Sequence, residues 1–218
     1  MLSNVLTTAL FASLACAAAI PSPQILSRAT QAADIILQIA PSSNTCDSAP
    51  AAGECATNVQ AAPYLISAMT QYGIYSIPEI AAILSVISYE SGEFKYNTNH
   101  YPGRAGQGTR NMMMPNYVLL YAKSISALAT PLGAITTSDS ITGLSDDQLN
   151  AVRALVLPDA YTWGSGAWFL TTQCASVRPA LQAGGDAGFT AYMSCLGVTA
   201  TSDRLAYWTR AKSAFGLS

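Results

Sequence analysis

The chain has 218 residues, half of them hydrophobic and a tenth charged, with a formal net charge of −2 and a pI near 5.2. That composition supports one well-buried domain and excludes an intrinsically disordered chain. The slightly acidic balance offers no basic patch, so no nucleic-acid partner is expected.

Residues 1–19 are apolar, end in Ala17-Ala18-Ala19 and read as a secretory signal peptide, although no Lys or Arg opens them. The stretch is short and interrupted by Thr7, Thr8 and Ser13, which argues against a membrane span. Residues 20–28 read either as a pro-segment ending at Arg28 or as a plain extended N-terminus. Residues 29–218 are then the folded domain of a secreted, extracellular protein that works as a monomer. Cys16 leaves with the signal, and Cys46, Cys55, Cys174 and Cys195 remain, an even set suited to an oxidising compartment. Four cysteines allow three pairings. The local pairs Cys46–Cys55 and Cys174–Cys195 are expected, because each closes a short loop.

The rest reads as almost all helix. Residues 29–40 form a first amphipathic helix with Ile35, Ile36 and Ile39 on one face, and 41–58 form a loop carrying two cysteines. A second helix covers about 61–72 and stops at Gly73. Ser76 and Glu79 make an S-x-x-E capping box, so a helix starts there. Ile80, Ile83 and Ile87 recur along it, Glu90 continues their stripe, and Gly92 is the natural stop. Residues 92–114 are rich in turn formers and have room for a small β-hairpin. Pro115 opens a helix to about 128, with Tyr117, Leu120, Tyr121 and Ile125 periodic. Ser145 and Gln148 form a second capping box, opening a helix to about 157. Residues 161–181 carry Trp163, Trp168 and Phe169. Asp186 caps a helix to 196, and Ser202 begins the last one, to 215.

Chemistry is narrowed by elimination. The single histidine, His100, leaves no room for a Ser-His-Asp triad or a histidine-rich metal site, and it reads as a loop or wall residue. No free thiol survives pairing, and no C-x-x-C spacing marks zinc, so neither metal nor cofactor is expected. Gly103 to Gly108 lacks the Lys-Ser/Thr of a phosphate loop. Among carboxylates, Glu79, Asp146, Asp147, Asp186 and Asp203 serve helix starts, and Glu54 lies in a disulfide loop. Glu90, Glu93 and Asp159 survive this sieve, with Asp34 and Asp139 less constrained. A carboxyl on the apolar face at a helix C-terminus loses hydration and feels the negative end of the dipole, and both raise its pKa. A carboxylic acid kept protonated is what a glycosidic oxygen needs as proton donor. Glu93, beyond Gly92, is expected at the cleft rim or in solvent.

The stretch Val86-Ile-Ser-Tyr-Glu90-Ser-Gly-Glu-Phe94, followed by Gly106-Gln-Gly-Thr-Arg-Asn-Met-Met-Met-Pro115, resembles the lysozyme superfamily. It is most similar to the soluble lytic transglycosylases and goose-type lysozymes, which carry a catalytic glutamate in an E-S-G-F run and then a G-L-M-Q-x-M-P run. Asn116-Tyr117 and Trp163-Gly-Ser-Gly-Ala-Trp-Phe169 are similar to plant-type chitinases. Here Glu93 is inserted before Phe94, Asn111 or Gln107 stands for the glutamine of the second run, and the second chitinase carboxylate has no match but Glu93.

The resemblance implies a mainly α, lysozyme-like helical domain with a small β-hairpin near the catalytic glutamate. Its substrate would be a β-1,4-linked amino-sugar polymer, peptidoglycan or chitin. It implies Glu90 as general acid. Cleavage is by hydrolysis, with water positioned by Glu93, Asn111 or Gln107, or by transglycosylation through the substrate's own hydroxyl. Tyr96, Tyr101, Tyr117, Tyr121 and Trp163 are candidates to stack on sugars, although Tyr121 and Trp168 sit in apolar helical runs that favour the core. Arg104 and Arg110 either bind substituents of the glycan or are solvated loop charges. The alternative is a secreted protein of this fold that binds glycan without cleaving it. A Glu90 at the floor of an open cleft favours the enzyme, and a Glu90 paired to an arginine favours the binder.

Overall fold

The computed structural model describes residues 23–218, so the expected signal peptide lies outside the described residues. Eleven α-helices follow one another among them: α1 Pro23–Ile39, α2 Asn58–Gln71, α3 Ile77–Glu90, α4 Pro115–Ser124, α5 Ala129–Gly133, α6 Asp146–Val156, α7 Asp159–Thr162, α8 Ser165–Thr172, α9 Arg178–Gln182, α10 Gly185–Cys195 and α11 Ser202–Phe215. The fold is mainly helical. The hairpin expected within 92–114 is reduced to two isolated antiparallel bridges, Thr98 with Gly108 and Gly108 with Met113. α1 begins at Pro23, ahead of its expected start, so residues 23–28 are helical.

The organising element is α3. Ala81 through Ser88 are all buried, so the helix is wrapped on every side, as its unbroken apolar sequence requires. It packs against α11, α1, α8 and α9. The approach of α8 depends on Gly166: a Cβ there would stand 3.1 Å from Ile87 Cδ1 and 3.2 Å from Ile83 Cγ2.

The start of α3 departs from the simple capping picture. Ser76 is the N-cap but makes no side-chain cap bond. Glu79 is buried and takes a two-pronged ion pair with Arg178, at 2.6 Å from Nε and 3.3 Å from Nη2. A charge-assisted bidentate partner outcompetes a single backbone N–H, and burial makes the pairing obligatory. The capping box expected at Ser145 does form, with Gln148, and an unforeseen one joins Thr57 to Gln60 at the start of α2. Asp186 stands in the first turn of α10, but Gly184 is the N-cap, and the carboxylate instead accepts from Trp208 Nε1 and Lys212 Nζ.

The cysteines pair locally as expected, Cys46 with Cys55 and Cys174 with Cys195. Among the described residues no helix is long and apolar enough to cross a membrane. Trp163 and Trp208 are the largest fully buried side chains, joined in the core by Tyr121, Phe94 and Phe189.

Candidate functional site

The last residue of α3 is Glu90, and the chain turns sharply after it. Ser91 Oγ donates to Ile87 O and accepts from Phe94 N. Gly92, Glu93 and Phe94 then all take positive φ, at 58°, 56° and 71°. Two consecutive left-handed non-glycine residues cost roughly 1–3 kcal/mol each and need strong support. Phe94 is fully buried edge-on against Trp163, and its carbonyl accepts from Arg110 Nη1 at 3.0 Å.

That reversal separates the two glutamates. Glu93 points toward the N-terminal segment and α11. Its carboxylate accepts from Ser42 N at 2.5 Å and from Tyr207 Oη at 2.9 Å, and Arg210 Nη2 lies 3.8 Å away. Burial, then the bond to Glu93, pushes the Tyr207 hydroxyl up to about 12. The structure therefore does not bring Glu93 to a cleft rim or to solvent. It pins α11 to the loop after α1.

Glu90 faces a cleft in two chambers. One, of about 520 Å³, is lined by Asn111, Met113, Tyr117, Phe169, Leu196 and Arg204, among others. The other, of about 380 Å³, runs between Tyr96, Thr98, Asn99, His100 and Tyr101. Glu90, Gln107 and Met112 border both, so the carboxyl stands where the two meet. Its Oε1 accepts from Arg204 Nη2 at 3.0 Å, and Oε2 has no hydrogen-bond partner among the described residues. Arg204 is itself stacked on the Tyr89 ring at 4.5 Å. Burial raises the Glu90 pKa and outweighs the hydrogen bond and charge of Arg204, which lower it, so the net shift is upward.

The other expected site residues divide. Tyr96, Tyr101, Gln107, Asn111 and Tyr117 line the cleft. Tyr101 is 92% exposed at the tip of its loop, while Tyr117 is braced edge-on by Phe169. Gln107 Nε2 donates to Met112 O, and Asn111 Oδ1 accepts from Thr109 Oγ1. Arg104 is exposed and borders neither chamber.

Arg110 and Trp163 are not in the cleft at all. Arg110 is 2% exposed and donates to the carbonyls of Phe94, Tyr96 and Glu54. Its guanidinium lies 4.3 Å over the buried Trp163 ring, whose Nε1 donates to Asp159 Oδ1. Burial pulls the Arg110 pKa down to about 10, which leaves it charged at neutral pH. These residues hold the loop that shapes the cleft. Gly108 serves the same loop, since a Cβ there would lie 2.6 Å from Asn97 O.

Sequence reasoning missed Arg204. The available signal was the spacing of Arg204, Tyr207 and Arg210, which share a face of α11. That face meets the end of α3, Arg204 reaching Glu90 and the other two reaching Glu93. A separate apolar cavity of about 300 Å³, lined by Ile35, Ile36, Leu65, Met69 and Phe215 among others, contains no ionisable side chain except Tyr75. Ionisable side chains lie instead at the Glu90 cleft and in a further pocket of about 260 Å³ lined by Glu54, Arg110 and Asp159 among others. Among the described residues no group of three or more His, Cys, Asp or Glu could hold a metal ion.

No family model matches this sequence, and no solved structure matches it. A protein of Fusarium oxysporum (strain Fo5176) named bifunctional dioxygenase (DOX)-epoxy alcohol synthase (EAS) is 52% identical to it over 160 residues. The match takes in 72% of this chain but only 12% of that protein's length.

Proposed function

We propose that this chain is a secreted, lysozyme-like enzyme that cleaves a β-1,4-linked amino-sugar polymer, with Glu90 as general acid. The observation that carries the reading is the position of Glu90. A mostly buried carboxyl with a raised pKa and one free oxygen stands where two open chambers meet, with room for sugar residues on either side of a scissile bond. Protonated Glu90 gives its proton to the leaving glycosidic oxygen. No second carboxylate borders either chamber among the described residues, which favours a single-glutamate mechanism. The broken bond is then replaced either by a substrate hydroxyl closing an anhydro ring or by a water near Gln107 and Asn111, and the Glu90 carboxylate takes up the proton that the attacking oxygen releases.

Charge at the cleft favours an uncharged glycan. Arg204 is spent on Glu90, and no other Lys or Arg borders the chambers among the described residues. Chitin, which is neutral, fits that balance better than carboxylate-bearing peptidoglycan.

One observation favours a second reading, a glycan binder without cleavage: the ion pair of Glu90 with Arg204. The Fusarium relative is consistent with a module of either kind, because its matching region occupies a small part of a much longer chain. That relative's named activities belong to the whole protein. Parallel reducing-end and turbidity assays on chitin and peptidoglycan, with the parent protein and Glu90→Gln, separate the readings. New ends that disappear in Glu90→Gln support the enzyme. Retention on the polymer by both proteins, with no new ends from either, supports the binder.

A further inference from the structure

The loop wall of the cleft is fastened at one point by a carboxylate that takes no part in the chemistry above. Glu54 lies beside Cys55, which the disulfide ties to Cys46, and its own carbonyl accepts from the buried Arg110 at 2.7 Å. The backbone carrying it is therefore held firmly. Its Oε2 accepts from the backbone N–H of both Asn97 and Thr98, at 2.8 and 3.0 Å. Its Oε1 stands 2.8 Å from Nε2 of His100, the one histidine in the chain. One carboxylate thus gathers three groups of the segment that supplies Tyr96, Thr98, His100 and Tyr101 to the smaller chamber.

We propose that Glu54 and His100 form a proton-controlled latch that positions the loop wall of the cleft and so tunes its affinity for ligand. Glu54 is a positioning residue here, acting through the wall and touching no substrate. With the imidazole protonated, the contact is a charge-assisted hydrogen bond. With it neutral, the contact is an ordinary one and the wall is held less tightly. Several groups face His100 and its partner. Glu54 faces it from the disulfide loop, the Tyr96 ring lies 5.5 Å from its ring on the same wall, and Tyr101 and Glu90 share its chamber. Glu54 also interacts electrostatically with Arg110 and Arg153. The His100 side chain is half exposed.

The effect on ligand rests on the glycan reading, but the latch itself can be measured without any glycan. In a nuclear magnetic resonance titration of the oxidised protein, the Asn97 and Thr98 amide signals should move with the same midpoint as the His100 ring. His100→Gln, at an exposed position, should flatten that response while leaving the fold intact, and Glu54→Gln should uncouple the amides from the ring. A ring that titrates while both amides stay still in the parent protein overturns the latch.

The second arm uses Glu90→Gln, so that Glu90 no longer titrates, with a chitin hexasaccharide as probe. Binding should be about fivefold tighter near pH 5.5 than near pH 8, the difference between a charge-assisted and a neutral bond. Adding His100→Gln should remove the difference. Binding that ignores pH overturns the effect on the chamber. Coupled amides with no hexasaccharide binding at any pH leave the latch standing and count against the glycan reading instead.

Discussion

Two glutamates three residues apart have opposite surroundings. Glu90 ends a buried helix and opens onto a cleft, with one partner and one free oxygen. Glu93 is tied by a backbone N–H and a tyrosine hydroxyl, with an arginine close by, and is 14% exposed. The same helix, α11, supplies partners to both. What divides them is the left-handed run from Gly92 to Phe94, which turns the chain over between one carboxylate and the next. The comparison teaches that neighbouring acidic residues need not form a catalytic pair. A turn of three residues leaves one facing a cleft and the other holding elements together.

The largest expected effect is on the Glu90 side. Glu90→Gln keeps the shape and the contact to Arg204 but cannot donate a proton, so cleavage should fall by about a hundred- to ten-thousand-fold. Thermal and urea unfolding should change little. Near-parental turnover in this variant, on a glycan that the parent cleaves, would break the assignment of Glu90 and with it the contrast between the two residues.

Glu93→Gln should do the reverse. Loss of the charge weakens bonds to Ser42, Tyr207 and Arg210, at an expected cost of about 1–2 kcal/mol in unfolding free energy. Turnover per folded molecule should stay near the parent's, and fragments released from peptidoglycan by substrate attack would carry anhydro ends. A large loss of rate at Glu93 with unchanged stability, together with ordinary reducing ends by mass spectrometry, would show a catalytic pair after all.

How much of this was legible beforehand depended on the range of the interaction. Ser145 with Gln148, the stop at Gly92 and the start of α11 near Ser202 are local, and the sequence displays them as patterns a few residues long. The cysteine pairs also close short loops. Glu79 was misread because its partner, Arg178, lies 99 residues away and no local rule anticipates that pair. The same holds for Arg110, which looks like a solvated loop charge until Phe94, Tyr96 and Glu54 all aim carbonyls at it. Trp163 was a candidate to stack on sugars only through the resemblance, and it is buried beneath Arg110. For the site, Glu90 and the loop residues Gln107 and Asn111 could be picked out, whereas the cation facing Glu90 could not, since Arg204 is 114 residues distant.

The smallest expected effect sharpens the contrast through that cation. Burial raises the Glu90 pKa while Arg204 opposes the rise. A general acid works in its protonated form, so cleavage should fade on the alkaline side, at a pH above that of an ordinary carboxyl. Arg204→Gln removes the bond and the charge that lower the pKa and leaves burial unopposed. The alkaline limb should therefore move to higher pH, while Arg210→Gln, beside Glu93, should leave it in place. The linked effect on stability has a definite sign. Because the folded-state pKa of Glu90 is raised above the unfolded value, its contribution is fully present below the unfolded pKa of about 4.3. It is lost as pH rises through the folded one, so unfolding measured across that window should show a decline that Glu90→Gln abolishes. An alkaline limb that stayed fixed in Arg204→Gln would mean that the arginine holds the carboxyl in position without setting its proton affinity.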